Sequence, residues 1–147
     1  MQLYDYQIEL INKARHSMVH HDRVAIQSAT GSGKTVIMSE IISRLVKKGK
    51  TILVLSDLQE LRESTLSTIQ KFVNFAVELN GTNLPYKQVV IAMAQTVNRR
   101  LLNPMFYAWL LRFDYFIIDE CHMSFNNDLI TSLIIPHNRK LIGFSAT

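Results

Sequence analysis

Apolar residues are distributed along this chain in two alternating rhythms. The runs RVAIQS (23–28), TILVLS (51–56), FAVEL (75–79), QVVIAM (88–93), YFIIDE (115–120) and KLIGFS (140–145) predict six strands. Most are apolar on successive residues, which suits strands covered on both faces. Between them the spacing turns helical. Residues 34–48 place Val36, Ile37, Ile41, Leu45 and Val46 on one stripe, and residues 57–72 place Leu58, Leu61, Thr65, Ile69 and Phe72 on another. Gly49 ends the first of these helices, with Lys47 and Lys48 in its last turn, and Asp57 is a natural N-cap for the second. An opening helix is predicted over 4–19. The stretch LLNPMFYAWLLRF (101–113) predicts a packed helix after Pro104, part of which can face a neighbouring domain. Alternating strands and helices predict an α/β fold: a doubly wound, mostly parallel sheet flanked by helices, with right-handed crossovers. No repeat, low-complexity segment or linker interrupts residues 1–147, which read as one domain. Its last strand ends with the chain, so the domain is expected to be part of something longer.

Composition narrows the class without naming a function. With 48% hydrophobic and 19% charged residues, 147 residues suffice for a globular core without disulfide staples. One cysteine, Cys121, excludes a disulfide framework within the chain and fits a reducing compartment. The start MQLYDYQIEL has no basic n-region or long apolar h-region, and no apolar run reaches membrane-spanning length. The expected location is the cytoplasm, without membrane association. The formal charge of +4 mildly favours an anionic partner such as a nucleotide or nucleic acid.

The chemistry begins in QSATGSGKTV (27–36). The phosphate-loop pattern is G-x-x-x-x-G-K-[ST]; Ser28 replaces the first glycine, but Gly33, Lys34 and Thr35 complete it. Such a loop turns successive N–H groups of Thr30, Gly31, Ser32 and Gly33 toward one phosphate, and the helix that follows adds its positive end. Lys34 would reach the β- and γ-phosphates of ATP, and the Thr35 hydroxyl would ligate Mg²⁺. GSGKTV also approaches a dinucleotide fingerprint, with Asp57 where a ribose-binding acid would stand. The third glycine is missing, however, and a Lys-Thr pair has no task beside a dinucleotide pyrophosphate.

A second acidic site ends the fifth predicted strand. Asp119 and Glu120 point to opposite faces if the strand is still extended there. Asp119 would hold Mg²⁺, and Glu120 would orient and deprotonate the water that attacks the γ-phosphate. In a doubly wound sheet, ligands bind at the carboxyl ends of strands, so two sites about 85 residues apart can meet. Together they favour nucleotide hydrolysis over simple binding.

ATGSGKT, DECH and SAT (145–147), in this order, resemble motifs I, II and III of superfamily 2 helicases, and DYQIELI resembles their adenine-reading Q motif. The resemblance covers the whole chain and implies the first of two RecA-like domains, with ATP between them and nucleic acid across the top. It also implies that His122, Ser145 and Thr147 couple the ATP site to the nucleic-acid path, and that Gln7 reads the adenine edge through its amide. His122 replaces the aspartate of DEAD-box RNA helicases, and SDLQEL (56–61) keeps only Glu60 and Leu61 of their Pro-Thr-Arg-Glu-Leu signature. The chain is more similar to the branch with type III restriction subunits, the XPB and RadD helicases and phage recombination helicases. That branch often begins Leu-Arg-x-Tyr-Gln. Here Tyr4 replaces the arginine and could stack on adenine instead.

The same resemblance places Ser56, Gln95, Thr96, Arg99 and Arg100 on a sugar-phosphate backbone. The expected partners are nucleic acid, DNA rather than RNA, and a second RecA-like domain that supplies arginine fingers. The expected state is a monomer, and the isolated domain should be weakly active or inactive. Two other readings stay open: the motor portion of a type III-like restriction endonuclease, and an ATP-switched nucleic-acid-binding module without efficient hydrolysis. His16 and His20 share a helix face, but no third ligand stands at zinc-site spacing, so a polar helix end is expected.

Overall fold

A computed structural model describes residues 3–28, 33–56, 59–119 and 126–145, without the side chains of 59–62. In chain order the elements are α1 (Asp5–His20), β1 (Arg23–Gln27), α2 (Lys34–Lys47), β2 (Ile52–Ser56), α3 (Gln59–Phe72), β3 (Val77–Glu78) and β4 (Val89–Met93). There follow α4 (Ala94–Arg100), α5 (Pro104–Leu110), β5 (Tyr115–Ile118), α6 (Asn127–Leu129), which runs into a π-helical stretch (Ile130–Ile134), and β6 (Lys140–Ser145). All six expected strands are present, and every pairing is parallel, in the order β1-β6-β5-β2-β4-β3. The expected N-cap at Asp57 lies outside the described residues. The helix Ala94–Arg100 and the helical turns after Asn126 were not anticipated as elements.

The unbroken apolar runs follow from burial on both faces of the sheet. Every residue of β2 is buried. Ile52 and Val54 enter one core with Ile37, Met38 and Ile41 of α2 and Ile11 of α1. Leu53 and Leu55 enter the other, with Val97 of α4, Trp109 of α5 and Leu133 of the π-helical stretch. Successive strand residues point to opposite faces, so only an apolar run can serve both cores. The edge strand β1 differs: Arg23, Ala25 and Gln27 are exposed, and only Ile26 is buried.

Two local devices fix the frame. Helix α2 stops as expected: Gly49 takes φ +78, and the N–H groups of Gly49 and Lys50 return to the carbonyls of Val46 and Leu45. At the amino end of β5, Asp114 Oδ2 accepts from the Thr51 N–H at 3.1 Å, while the Thr51 hydroxyl donates to Arg112 O at 2.7 Å and accepts from the Asp114 N–H at 3.1 Å. This latch sets the register Ile52↔Tyr115, continued to Leu55↔Ile118. Because a strand has one phase, pinning one end determines where Asp119 emerges at the other.

Candidate functional site

The carboxyl ends of β1, β6 and β5 lie side by side and carry the predicted chemistry. Gln27 pairs with Ser145, and Ser28 N–H donates to Ser145 O at 2.9 Å, so the phosphate-loop strand and the end of β6 leave the sheet together. Strand β5 stops at Ile118. Asp119 is already in a turn, although its N–H still donates to Leu55 O at 2.9 Å. Opposite faces for Asp119 and Glu120 would need an extended strand, and the strand has ended before Asp119.

Lys34 opens α2, and its Nζ lies 2.9 Å from Asp119 Oδ1, with side-chain exposures of only 16% and 5%. Asp119 Oδ1 is buried, with no aligned hydrogen bond among the described residues. Two ions this buried are costly unless paired, and the sheet topology brings them together across about 85 residues. Thr35 is half-buried in the first turn of α2, and its carbonyl accepts from Ser39 Oγ at 2.7 Å.

Gly33 is the N-cap of α2 and sits at φ +80, ψ 34, the left-handed region that favours glycine. It also has a neighbour. A Cβ built at Gly33 would meet Gln7 Nε2 at 2.4 Å, so the Gln7 amide rests on the bare backbone of the loop. Gln7 is 3% exposed, and its Oε1 accepts from Tyr4 N–H at 2.8 Å, which closes the first turn of α1. Tyr4 is 69% exposed, with its ring parallel to that of Tyr6 at 6.0 Å.

These residues can hold a nucleotide and a cation. Gly33, the N-cap of α2, has no side chain to cap the helix, and a helix start of this kind suits a phosphate. Asp119 offers a buried carboxylate oxygen and Thr35 a hydroxyl, both hard oxygen ligands suited to Mg²⁺. Thr30, Gly31, Ser32, Glu120, His122 and Thr147 lie outside the described residues. A cavity of about 650 Å³ lies elsewhere, between the C-terminal halves of α1 and α2, and is lined by Ala14, Met18, Leu45 and Tyr115.

The five residues assigned to a nucleic-acid backbone have different surroundings. Gln95 and Arg99 are exposed on α4, and Thr96 is half-buried there. Ser56 is 3% exposed at the end of β2. Arg100 is held at the surface by the chain itself, its Nη1 donating to Gly81 O at 2.8 Å and its guanidinium 5.7 Å from the centre of the Phe106 ring. Sequence reasoning missed that α4 starts directly at the end of β4, which puts Gln95 and Thr96 in a helical first turn. It also missed the Gln7–Gly33 contact, since no spacing rule joins residues from two separate helices.

The whole chain, residues 1–147, matches the family model described as "Type III restriction enzyme, res subunit". No curated protein matches it by sequence. Among solved structures, the UvsW helicase from bacteriophage T4 matches at a TM-score of 0.75 and 19% identity, over 100% of this chain and 53% of that one. The Hef helicase domain of Pyrococcus furiosus matches at 0.76 and 22%, over 99% and 33%. A nuclease-deletion mutant of the type ISP restriction-modification enzyme LlaGI, in complex with a DNA substrate mimic, matches at 0.74 and 20%, over 100% and 18%. The chain thus spans between about a fifth and about half of each. It belongs to the type III restriction enzyme res-subunit family, and its fold is the RecA-like domain of superfamily 2 helicases.

Proposed function

We propose that this res-subunit family domain is the first of two RecA-like domains in a helicase or translocase that couples ATP hydrolysis to movement along DNA. The observation that carries the reading is the buried Lys34–Asp119 pair at the carboxyl end of the sheet. A phosphate-loop lysine and a strand-end aspartate have a joint use there: one binds phosphate, the other the cation that phosphate brings.

The residues divide the work. Lys34 would bind the β- and γ-phosphates, together with the N–H groups from Thr30 to Gly33 and at the start of α2. Thr35 and Asp119 would hold Mg²⁺, which would neutralise charge on the phosphate oxygens. Glu120 takes the proton of the attacking water. Gln7 and Tyr4 address the adenine, Gln7 by its amide and Tyr4 by its exposed ring. His122, Ser145 and Thr147 relay the state of the site toward the nucleic acid, where Gln95, Thr96 and Arg99 are open to a backbone. Ser56 belongs to the same expected track, whereas Arg100, expected there too, is held by Gly81 O and the Phe106 ring.

The test is ATP hydrolysis by the protein carrying this domain, with single-stranded DNA, duplex DNA or RNA added in turn. Stimulation by DNA is expected, with loss in Lys34→Ala and Glu120→Gln. The 147-residue chain alone should bind nucleotide weakly and turn over slowly, because an arginine from a second domain is worth about 10³–10⁵ in rate. Hydrolysis by the chain alone at the rate of the DNA-stimulated whole protein would overturn this. A second reading, the motor portion of a restriction endonuclease, is favoured by the family match. DNA cleavage dependent on ATP would decide for it. Unchanged hydrolysis in Glu120→Gln would instead support an ATP-operated binding switch.

A further inference from the structure

Away from the Lys34–Asp119 pair, two amides, Asn126 fully buried and Asn98 half-buried, join elements distant in sequence. Asn98 stands one turn into α4, and its Nδ2 donates to Ala94 O at 2.8 Å and to Asn126 Oδ1 at 3.1 Å. Asn126 has no exposed surface and occupies the N-cap position of α6. An asparagine there ordinarily accepts from the helix's own N–H groups. Asn126 makes no such cap and turns its oxygen to α4 instead. On the other side of the contact, Asn98 Oδ1 is buried with no hydrogen-bond partner among the described residues.

Both features work against stability. A helix start forgoes its cap, and a carbonyl is desolvated without compensation. Apolar side chains of similar size would fill the space with neither loss. A polar link retained on those terms is better suited to joining two elements than to strengthening the core. The elements joined are α4, which presents Gln95, Thr96 and Arg99, and the chain about seven residues beyond Asp119.

We propose that the Asn98–Asn126 hydrogen bond couples nucleic-acid binding on α4 to nucleotide binding at Asp119, with Asn98 as a positioning residue that touches neither ligand. The inference rests on the proposed function. A strand drawn onto Gln95, Thr96 and Arg99 displaces α4, and the bond through Nδ2 carries Asn126 with it. The unsatisfied Oδ1 makes the present arrangement easier to leave, because a shift that brings it a donor is favoured. Linkage requires reciprocity: nucleotide held by Lys34 and Asp119 must change the affinity of α4 for nucleic acid by the same factor.

The experiment titrates the protein carrying this domain with a fluorescent oligothymidine, with and without Mg²⁺ and a saturating non-hydrolysable ATP analogue. The wild-type ratio of affinities should be about fivefold or more. Asn98→Leu should bring it near one while each ligand, measured separately, binds within about twofold of wild type, well under the fivefold coupling itself. Asn98→Ser can still satisfy Ala94 O but is too short for Asn126. It should lose the ratio too, and it answers the question if the leucine variant does not fold. Asn98→Gln, which keeps an amide donor, should retain most of it. If both ligands bind the wild type with a ratio of one, or if the leucine and serine variants keep the wild-type ratio, the coupling role is overturned. If neither ligand binds the wild type, the functional reading itself fails, and the coupling with it.

Discussion

Replacing Gly33 by alanine tests how the opening helix is joined to the phosphate loop. The new Cβ meets two obstacles. It must occupy φ +80, a left-handed conformation that costs an L-residue about 1–2 kcal/mol. It also falls 2.4 Å from Gln7 Nε2. Gln7 is a flexible side chain, but it is buried and its Oε1 is tied to Tyr4 N–H, so withdrawing it costs about one hydrogen bond, ~1 kcal/mol. The expected loss is therefore about 2–3 kcal/mol, or about 6–10 °C in Tm for a domain of this size. Gly49 supplies the control. It sits at φ +78 with nothing within 4 Å of its added Cβ, so Gly49→Ala should show the strain alone, about 1–2 kcal/mol. A second control removes the obstacle: in a Gln7→Ala background, Gly33→Ala should fall to the Gly49 value. Urea and thermal denaturation of the four variants and the wild type measure all three costs. Equal losses at Gly33 and Gly49, or a Gly33 loss unchanged by Gln7→Ala, would refute the claim that Gln7 bears on the loop.

Three further outcomes are expected. Lys34→Met leaves Asp119 buried without its cation and should cost about 3 kcal/mol by urea denaturation, much of it recovered by adding Asp119→Leu; a stable single variant would show that the pair is better solvated than its 16% and 5% exposures suggest. Arg99→Ala should lower oligonucleotide affinity and reduce the salt slope by about one, whereas Arg100→Ala, by losing Gly81 O and the Phe106 ring, should lower Tm with the slope unchanged; the reverse pattern would exchange their roles. Finally, the hydrogen bond from Lys140, and then its charge, hold the Asp22 carboxyl below its ordinary value of 3.8. A depressed folded pKa stabilises above the unfolded value and is lost as pH falls through the folded one, so the Tm gap between wild type and Asp22→Asn should close below pH 3.8 and shrink in high salt; a gap that persists at low pH would contradict this.

The strands and longer helices were legible because burial writes itself into spacing. An apolar residue at every position of 52–55 needs two cores, and the sheet supplies them. The end of α2 was legible at Gly49, where a positive φ leaves little choice of residue. The short helices were less so. Residues 94–100 continue from a strand without a turn signal, and NDLITSLI (127–134) mixes polar and apolar residues without a clear period before becoming π-helical. Arg100 shows the limit of assigning residues by type. An arginine beside a candidate track reads as a phosphate contact in sequence, and only its neighbours reveal a carbonyl and a ring as its partners.

The sequence by itself determined the class of fold and singled out Gly33, Lys34, Thr35 and Asp119 as candidate site residues. These depend on local geometry and residue chemistry, which a short window carries. Tertiary structure alone decided which distant groups touch: Lys34 with Asp119, Gln7 with Gly33, Asn98 with Asn126. Such contacts depend on strand order and register. The order β1-β6-β5 sets the carboxyl end of β1 two strands from that of β5, and the Thr51–Asp114 latch fixes how far β5 runs before Asp119 leaves it. No period or motif encodes that order, because it is settled by the packing of the whole sheet.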